Sequence, residues 1–260
     1  MRGANVELPP PNLLLSLTEA QRAASEIFSL QLTRRTLRRV APKGDGHSVM
    51  VLPGFLGSDT YNRALRTFLD HLSYTTHGWG QGQNLGPRDG VLEALQQRFI
   101  QLTDTSGAPM SLVGHSLGGI FARELAREYP DRVRQVISLG SPFGEGRMSG
   151  SLPARLFTAL NPPEELPVDQ DVLPEAPPVP TTAIYSQGDG IVNWRTTVQP
   201  GQRETTESIR VCGSHCGMTL NPAVWYLVAD RLAQPEEQWA PFERSSWRQL
   251  IFPRAAALGA

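Results

Sequence analysis

Short apolar runs alternate with segments of helical hydrophobic spacing through most of the chain. Apolar runs predict buried strands at residues 48–52 and 110–113, and further short strands are predicted at residues 74–79, 133–139, 181–185 and 208–211. Between them, apolar residues recurring every three or four positions predict helices at 59–72, 89–102, 117–129 and 222–232. Because strands and helices alternate, we expect an α/β fold with a mostly parallel central sheet and helices on both faces.

The N-terminal 40 residues precede this alternation. Residues 1–12 are proline-rich and predict an extended arm, and residues 18 to about 40 predict an amphipathic helix. Its apolar positions are Ala20, Ala23, Ala24, Ile27, Phe28 and Leu30. Its basic cluster is Arg34, Arg35, Arg38 and Arg39. A solvated helix face is favoured for the cluster over contact with anionic lipid head groups, because nothing else in the chain is basic.

Two further segments depart from the alternation. Residues 144–180 are too long for a plain connection and contain a short helical pattern followed by seven prolines, so they predict a small lid over the carboxyl ends of the strands. The tail, residues 236–260, is rich in aromatic residues and is expected to pack back on the domain rather than contact a membrane or partner. We predict that residues 1–260 form a single domain.

Composition narrows the function classes. The chain has 260 residues, 40% of them hydrophobic, and a formal net charge of −1, which excludes a basic footprint for nucleic acid. No apolar run is long enough to span a bilayer, and the patch at residues 13–15 is too short for a signal peptide. A cytoplasmic location is therefore expected. The two cysteines, Cys212 and Cys216, do not form a disulfide scaffold.

The sharpest motif is Gly-His-Ser-Leu-Gly at residues 114–118, between a predicted strand and a predicted helix. A nucleophile elbow holds its serine in a strained backbone conformation, where side chains two residues away on either side would collide. Gly114 and Gly118 remove those side chains, so Ser116 is the predicted nucleophile. The alternative is a glycine-rich phosphate or dinucleotide loop, but the Lys-Ser/Thr pair and the Gly-x-Gly-x-x-Gly fingerprint are both missing.

A serine nucleophile needs a base and an orienting acid. Of the five histidines, His215 alone follows the elbow, in a loop after the last predicted strand, and it is the predicted base. His115, beside the serine, is interpreted as structural support. Asp189, after the strand at 181–185, is the predicted acid. Asp169 and Asp171 are rivals, and an ordinary Asp-Gly turn is the alternative for Asp189.

Acyl transfer also needs backbone donors for the tetrahedral oxyanion. The N–H of Leu117, next after the nucleophile, is one predicted donor. The loop after the first strand reads Pro-Gly-Phe-Leu-Gly at residues 53–57, and the N–H of Phe55 is the second candidate, with Leu56 next. A plain hydrophobic turn remains the alternative for this loop.

These motifs, together with residues 139–143, resemble the α/β-hydrolase superfamily, and within it the bacterial lipase and esterase branch, across about residues 48–233. The resemblance implies an eight-stranded sheet, a Ser-His-Asp triad and a covalent acyl-enzyme. Two features depart from it. Residues 18–40 look helical where the family has antiparallel strands, so the sheet is expected to be trimmed. The oxyanion loop reads Pro-Gly-Phe rather than His-Gly.

Apolar residues around this site favour a carboxylic ester with a hydrophobic acyl group, either a small-molecule ester or a lipid. The predicted substrate pocket is formed by Leu56, Trp79, Leu156 and Phe157, although a plain core aromatic is the commoner role for a residue like Trp79. No cofactor or metal is expected, because Cys212, His215 and Cys216 lack a fourth ligand. The cysteines either pair beside His215 or pack as small hydrophobes. Two other functions stay open, an acyltransferase using the same acyl-enzyme and a non-catalytic binding protein. Peripheral membrane contact is the remaining partner prediction.

Overall fold

A six-stranded parallel sheet forms the centre of the protein. The computed structural model describes residues 8–88, 90–144, 151–161, 171–201 and 203–255, apart from the side chain of Leu152. The strands, in chain order, are β1 Ser48–Leu52, β2 Thr75–Gly78, β3 Met110–His115, β4 Val133–Leu139, β5 Thr181–Ser186 and β6 Thr206–Val211. Their order across the sheet is β2-β1-β3-β4-β5-β6, with every neighbouring pair parallel.

Helices cover both faces of this sheet. They are α1 Leu13–Leu17, α2 Glu19–Val40, α3 Arg63–His71, α4 Val91–Ser106, α5 Leu117–Glu128, α6 Leu152–Leu160, α7 Pro222–Leu232 and α8 Arg248–Ile251. Alternate residues of β1 point into two separate cores, as the two-residue period of a strand requires. Val49 and Val51 pack with α2, α3 and α7, whereas Met50 and Leu52 pack with α4 and α5.

The predicted fold class is confirmed. The described residues contain no antiparallel strand, which agrees with the expectation of a trimmed sheet. The largest boundary errors are four residues: α3 begins at Arg63 rather than at residue 59, because turns occupy residues 59–62, and α4 ends at Ser106 rather than at residue 102. In the described part of the chain, no helix is both long and apolar enough to cross a bilayer.

The predicted N-terminal helix is present as α2, but its apolar positions do not share one buried face. Phe28 is 66% exposed and Ile27 is also exposed, whereas Leu30 is buried. The buried residues of α2 are Glu19, Leu30 and Leu37. The arginine cluster is largely exposed, so a solvated face fits it, and lipid contact stays a prediction. Helix α2 therefore turns a charged side chain toward the domain.

The predicted lid, residues 144–180, is described in two pieces. Helix α6 is present, whereas residues 145–150 and 162–170, including the rival acid Asp169, lie outside the described residues. Residues 171–180 pack on the domain, because Leu173 and Val179 are buried in the core beside α4 and α5. The guanidinium of Arg123 on α5 also donates to the carbonyl of Glu175 at 2.6 Å. The end of the predicted lid segment is therefore part of the packed scaffold.

The aromatic tail packs as expected. Phe252 is fully buried, and its ring contacts the rings of Tyr226 on α7 and Phe242. Arg248 of α8 donates to Asp230 of α7 at 3.0 Å. The described part of the tail thus closes one face of the domain.

Candidate active site

The predicted elbow joins β3 to α5 at the carboxyl edge of the sheet. Ser116 has φ 50° and ψ −121°, a strained conformation for a residue with a side chain. A Cβ on Gly114 would overlap the carbonyl of Gly118, and one on Gly118 would overlap the carbonyl of Leu52. The backbone crowding on which the motif depends is therefore present around Ser116.

The predicted base and acid are in direct contact. The imidazole Nδ1 of His215 lies 2.6 Å from Oδ2 of Asp189, and both side chains are buried. The other carboxylate oxygen, Oδ1, accepts hydrogen bonds from the backbone N–H groups of Ile191 at 2.9 Å and Val192 at 2.7 Å. These bonds fix the carboxylate and hold a proton on Nδ1 of His215, leaving Nε2 on the opposite side of the ring as a proton acceptor. The rival Asp171 is exposed.

His215 lies beside the elbow. Its carbonyl is 3.0 Å from Nε2 of His115, and the two imidazole rings are 5.0 Å apart. The N–H of Ser116 donates to the carbonyl of Leu139 at 2.8 Å, and a Cβ on the next residue, Gly140, would lie 3.3 Å from Nδ1 of His215. The nucleophile candidate and the imidazole thus flank the end of β4. Among the described residues, no hydrogen bond joins the Ser116 hydroxyl to His215, a bond that often forms only with substrate.

The two neighbouring histidines have opposite electrostatic environments. Burial lowers the pKa of His215, while the charge of Asp189 and the hydrogen bond to it raise that pKa, and the result is a pKa above the ordinary value. Burial, together with the nearby His215, lowers the pKa of His115 to about 3. His115 is therefore neutral at physiological pH and contacts the His215 backbone, which fits the predicted supporting role.

The loop at residues 53–57 follows β1 and approaches the elbow closely. A Cβ on Gly54 would lie 3.0 Å from Cβ of Ser116. The N–H of Leu56 is used within the protein, because it donates to the carbonyl of Asn84 at 2.7 Å. Within the described residues, the N–H groups of Phe55 and Leu117 have no such partner. Of the two candidate oxyanion donors in this loop, the N–H of Phe55 is therefore free among the described residues, whereas the N–H of Leu56 is already hydrogen-bonded.

Asn84 is hydrogen-bonded to the loop at residues 53–57, a contact that the sequence did not predict. It is fully buried, its Nδ2 donates to the carbonyl of Pro53 at 2.8 Å, and its backbone N–H donates to the carbonyl of Gly57 at 2.8 Å. Its Oδ1 accepts from the N–H of Gly86 at 3.1 Å. In the sequence, Asn84 is only one polar residue in a glycine-rich loop, because the Pro53 and Gly57 carbonyls to which it donates lie about 30 residues earlier.

Of the four predicted pocket residues, Leu56 lies in the loop at residues 53–57, and Leu156 and Phe157 lie on α6. Leu56 and Leu156 are exposed, and the ring of Phe157 packs edge-to-face on that of Phe55, with 5.4 Å between centroids. Trp79 does not belong with them. It is 1% exposed, its ring stacks on Phe121, and its indole N–H donates to the carbonyl of Gly82 at 2.9 Å. Trp79 is therefore a core residue rather than part of an open pocket.

A second Asp-His-Ser array lies at the opposite, amino-terminal edge of the sheet. Nδ1 of His47 is 2.5 Å from Oδ1 of Asp45, and Nε2 of His47 is 2.8 Å from Oγ of Ser111. Ser111 is completely buried within β3 and has an ordinary strand backbone. No carbonyl substrate can reach a hydroxyl in that position, so this array is a structural hydrogen-bond network.

Both cysteines are free, and both residues are exposed. They neither form the disulfide that was considered nor pack as small hydrophobes, so both alternatives are corrected. Within the described ranges, no group of three or more His, Cys, Asp or Glu side chains could hold a metal ion.

The comparisons with known proteins agree with this architecture. The family model of the alpha/beta hydrolase fold matches residues 49–178, half of the chain. The chain belongs to the alpha/beta hydrolase family. No curated protein sequence matches it.

Solved structures with the same fold include a lipase, a pyrethroid hydrolase and a lipolytic enzyme. Lipase B of Aspergillus fumigatus has a TM-score of 0.56 and 17% identity over 74% of this chain, which spans 54% of that protein. A pyrethroid hydrolase from Sphingobium faniae has a TM-score of 0.51 and 18% identity, covering 74% of this chain and 99% of that one. Two metagenome-derived lipolytic enzymes, LipS and LipT, are represented at a TM-score of 0.52 and 14% identity, covering 74% of this chain and 94% of that one. At these identities the likeness concerns the fold.

Proposed function

We propose that the protein is a serine hydrolase that cleaves carboxylic esters through Ser116, His215 and Asp189. The observation that carries the proposal is the buried bond between His215 and Asp189, 2.6 Å long, beside a serine whose φ is 50°. An imidazole held by a carboxylate next to a strained serine has the chemistry of an activated nucleophile. Membership of the alpha/beta hydrolase family supports the same class of activity.

In the proposed mechanism, Ser116 Oγ attacks the ester carbonyl carbon while its proton passes to Nε2 of His215. The tetrahedral oxyanion accepts hydrogen bonds from the N–H groups of Leu117 and Phe55, and one such donor typically contributes about 10²- to 10³-fold in rate. The imidazolium, stabilised by Asp189, then protonates the alcohol oxygen as the C–O bond breaks. Water, deprotonated by the same imidazole, releases the acid from the acyl-enzyme.

A hydrophobic acyl group is the favoured substrate feature. The backbone N–H proposed for the oxyanion belongs to Phe55, and the ring of this residue contacts Phe157 of α6. The exposed side chains of Leu56 and Leu156 extend the apolar surface. An acyl chain covering such side chains gains roughly 0.8 kcal/mol per buried methylene. Nitrophenyl esters of increasing chain length should therefore show kcat/KM rising with length, and a maximum at acetate would contradict this acyl-group assignment.

A fluorophosphonate probe tests the nucleophile directly. The wild-type protein should be labelled on Ser116, and Ser116→Ala should be unlabelled and inactive. Ser111→Ala is a matched control, because it disrupts the other Asp-His-Ser array and should leave both labelling and turnover intact. A folded wild type that is neither labelled nor active would support a binding protein instead. Ester formation with an added alcohol, in place of free acid, would identify an acyltransferase.

A further inference from the structure

One face of α2 lies against both loops that carry the proposed acid and base. Glu19, Arg22 and Glu26 are spaced i, i+3 and i+7 and therefore project from the same side of the helix. The acid loop contains Gly188 to Gly190, and the base loop contains Gly213 to Cys216. We call the three side chains the helix clamp, because each of them contacts one or both loops.

Glu19 connects the two loops through a single carboxylate. Its Oε2 accepts a hydrogen bond from the N–H of Gly190 at 3.1 Å, and its Oε1 accepts one from the N–H of Cys216 at 2.7 Å. Gly190 directly follows Asp189, and Cys216 directly follows His215. Glu19 is buried, so both bonds form away from bulk water, where hydrogen bonds to a charged group are strong. The distance between the two loops is thus set in part by one side chain.

Arg22 connects the same loops from their carbonyl side. Its Nη1 donates to the carbonyl of Gly188 at 2.5 Å and lies 3.5 Å from that of Gly213. Its Nη2 donates to Glu19 Oε2 at 2.6 Å and to the carbonyl of Leu15 at 2.8 Å. The planar guanidinium holds these acceptors in a fixed arrangement that a lysine could not reproduce.

Glu26 completes the contact on the base loop. It accepts hydrogen bonds from the N–H of Ser214 at 2.6 Å and from the Ser214 hydroxyl at 2.8 Å. The loops follow the helix closely: a Cβ on Gly190 would lie 2.7 Å from Oε2 of Glu19, and one on Gly213 would lie 2.9 Å from Oε1 of Glu26. Glycines at these positions therefore allow the helix to approach.

We propose that α2 is a positioning element for the site, in which the helix clamp holds the acid and base loops in one fixed relation to each other. This inference rests on the proposed function, because it assigns the helix a role through Asp189 and His215. The clamp lies outside residues 49–178, the part that matches the family model. Family membership alone therefore does not account for these bonds, and the clamp residues are positioning residues rather than catalytic ones.

The clamp also contributes charge beside the base. The ionisable groups that face His215 are Asp189, Glu19 and the ring of His115, and the phenol of Tyr61 donates to the neighbouring Cys216 carbonyl. Burial lowers the pKa of His215, and because His115 is neutral, the carboxylates of Asp189 and Glu19 are the charges that raise this pKa. Replacing Glu19 by Gln removes one of them and should lower the pKa of His215. Since a general base must be unprotonated, the acid limb of the kcat/KM profile should move to lower pH.

Four variants separate positioning from folding. Glu19→Gln and Arg22→Lys should lower kcat by about tenfold to a hundredfold with little change in KM, because a misplacement of about 1 Å costs on the order of a hundredfold. Glu26→Gln should also lower kcat but leave the acid limb unmoved, since Glu26 does not face His215. Arg35→Gln is the matched control: it changes an exposed arginine on the same helix and should behave as wild type.

Hydrogen exchange measured by mass spectrometry supplies a readout that needs no substrate. Peptides covering residues 186–193 and 211–217 should exchange faster in Glu19→Gln and Arg22→Lys than in wild type or Arg35→Gln. Variants whose kcat, corrected for the folded fraction, equals that of wild type would overturn the proposal, whether or not their exchange changes. Failure of the wild type to label with fluorophosphonate would sink the proposed function instead, and the exchange data would still decide whether the clamp orders both loops.

Discussion

Truncating Asn84 should separate the stability of the oxyanion loop from the stability of the domain. Asn84→Ala removes the side-chain bonds to the Pro53 carbonyl at 2.8 Å and to the Gly86 N–H at 3.1 Å, both at a fully buried position. A buried polar group left without its partner costs about 1–3 kcal/mol, so the two together should lower the free energy of unfolding by roughly 2–6 kcal/mol. The backbone bonds of residue 84 remain, and the loop should loosen rather than detach.

The effect on catalysis follows from what the loop presents. Loss of one oxyanion donor costs about 10²- to 10³-fold, so a donor that is displaced but not lost should cost about tenfold to a hundredfold. We expect this loss in kcat for a short nitrophenyl ester, with KM nearly unchanged, because the oxyanion exists only in the transition state. Asn84→Asp should be at least as impaired, because it places an acceptor against the Pro53 carbonyl.

Denaturant unfolding and steady-state kinetics on the same preparations make the test. Leu232→Ala is the matched control: it truncates a fully buried residue of α7 and should cost about 2–5 kcal/mol of stability without affecting kcat. An Asn84→Ala protein that loses the expected stability but keeps kcat within about twofold of wild type would refute the role assigned to Asn84.

Three other predictions concern the elbow, the base and the pocket. Because the pKa of His215 is raised above 6.5 and the base must be neutral, kcat/KM should be half-maximal above pH 6.5 and fall as the pH decreases. Asp189→Asn should move this acid limb to lower pH and reduce kcat about 10⁴-fold. An acid limb that does not move would exclude Asp189 as the partner of His215. Gly114→Ala should abolish activity and labelling of the soluble protein, since its Cβ would overlap the Gly118 carbonyl, whereas Gly107→Ala, whose Cβ meets open space, should cost only about 1–2 kcal/mol of stability. Phe157→Ala should lower kcat/KM about tenfold for long-chain esters and much less for acetate, and equal losses on both would contradict its place in the acyl pocket.

The parts of the fold that could be predicted are those set by local signals. The bounds of β4 and α7 agree with the predicted ranges, because apolar residues begin and end Val133–Leu139 and Asn221-Pro222 is a strong helix start. The elbow was recognisable for the same reason, since its glycines exclude side chains that would collide within a few residues of Ser116.

What could not be predicted depends on partners far along the chain. The apolar residues of α2 predicted an amphipathic helix but gave no sign that Glu19 would be buried. The amides that Glu19 binds lie some 170 to 200 residues later, so no local pattern indicates them. Likewise, Trp79 was assigned to the pocket, but its burial is decided by Phe121 on a different element. The energetic contribution of a buried polar or aromatic contact depends on partners that only the folded chain brings together.

The anchoring of residues 172–175 has a consequence for substitutions in α6. Arg127 on α5 donates to the carbonyls of Val172 and Leu173, each at 3.1 Å, alongside the bond from Arg123, and the N–H of Gly144 donates to the carbonyl of Thr196 at 2.8 Å. The described residues on either side of the segment that carries α6 are therefore each hydrogen-bonded to the scaffold. Substitutions at exposed positions of α6, such as Leu156, should leave these anchoring bonds and the sheet undisturbed.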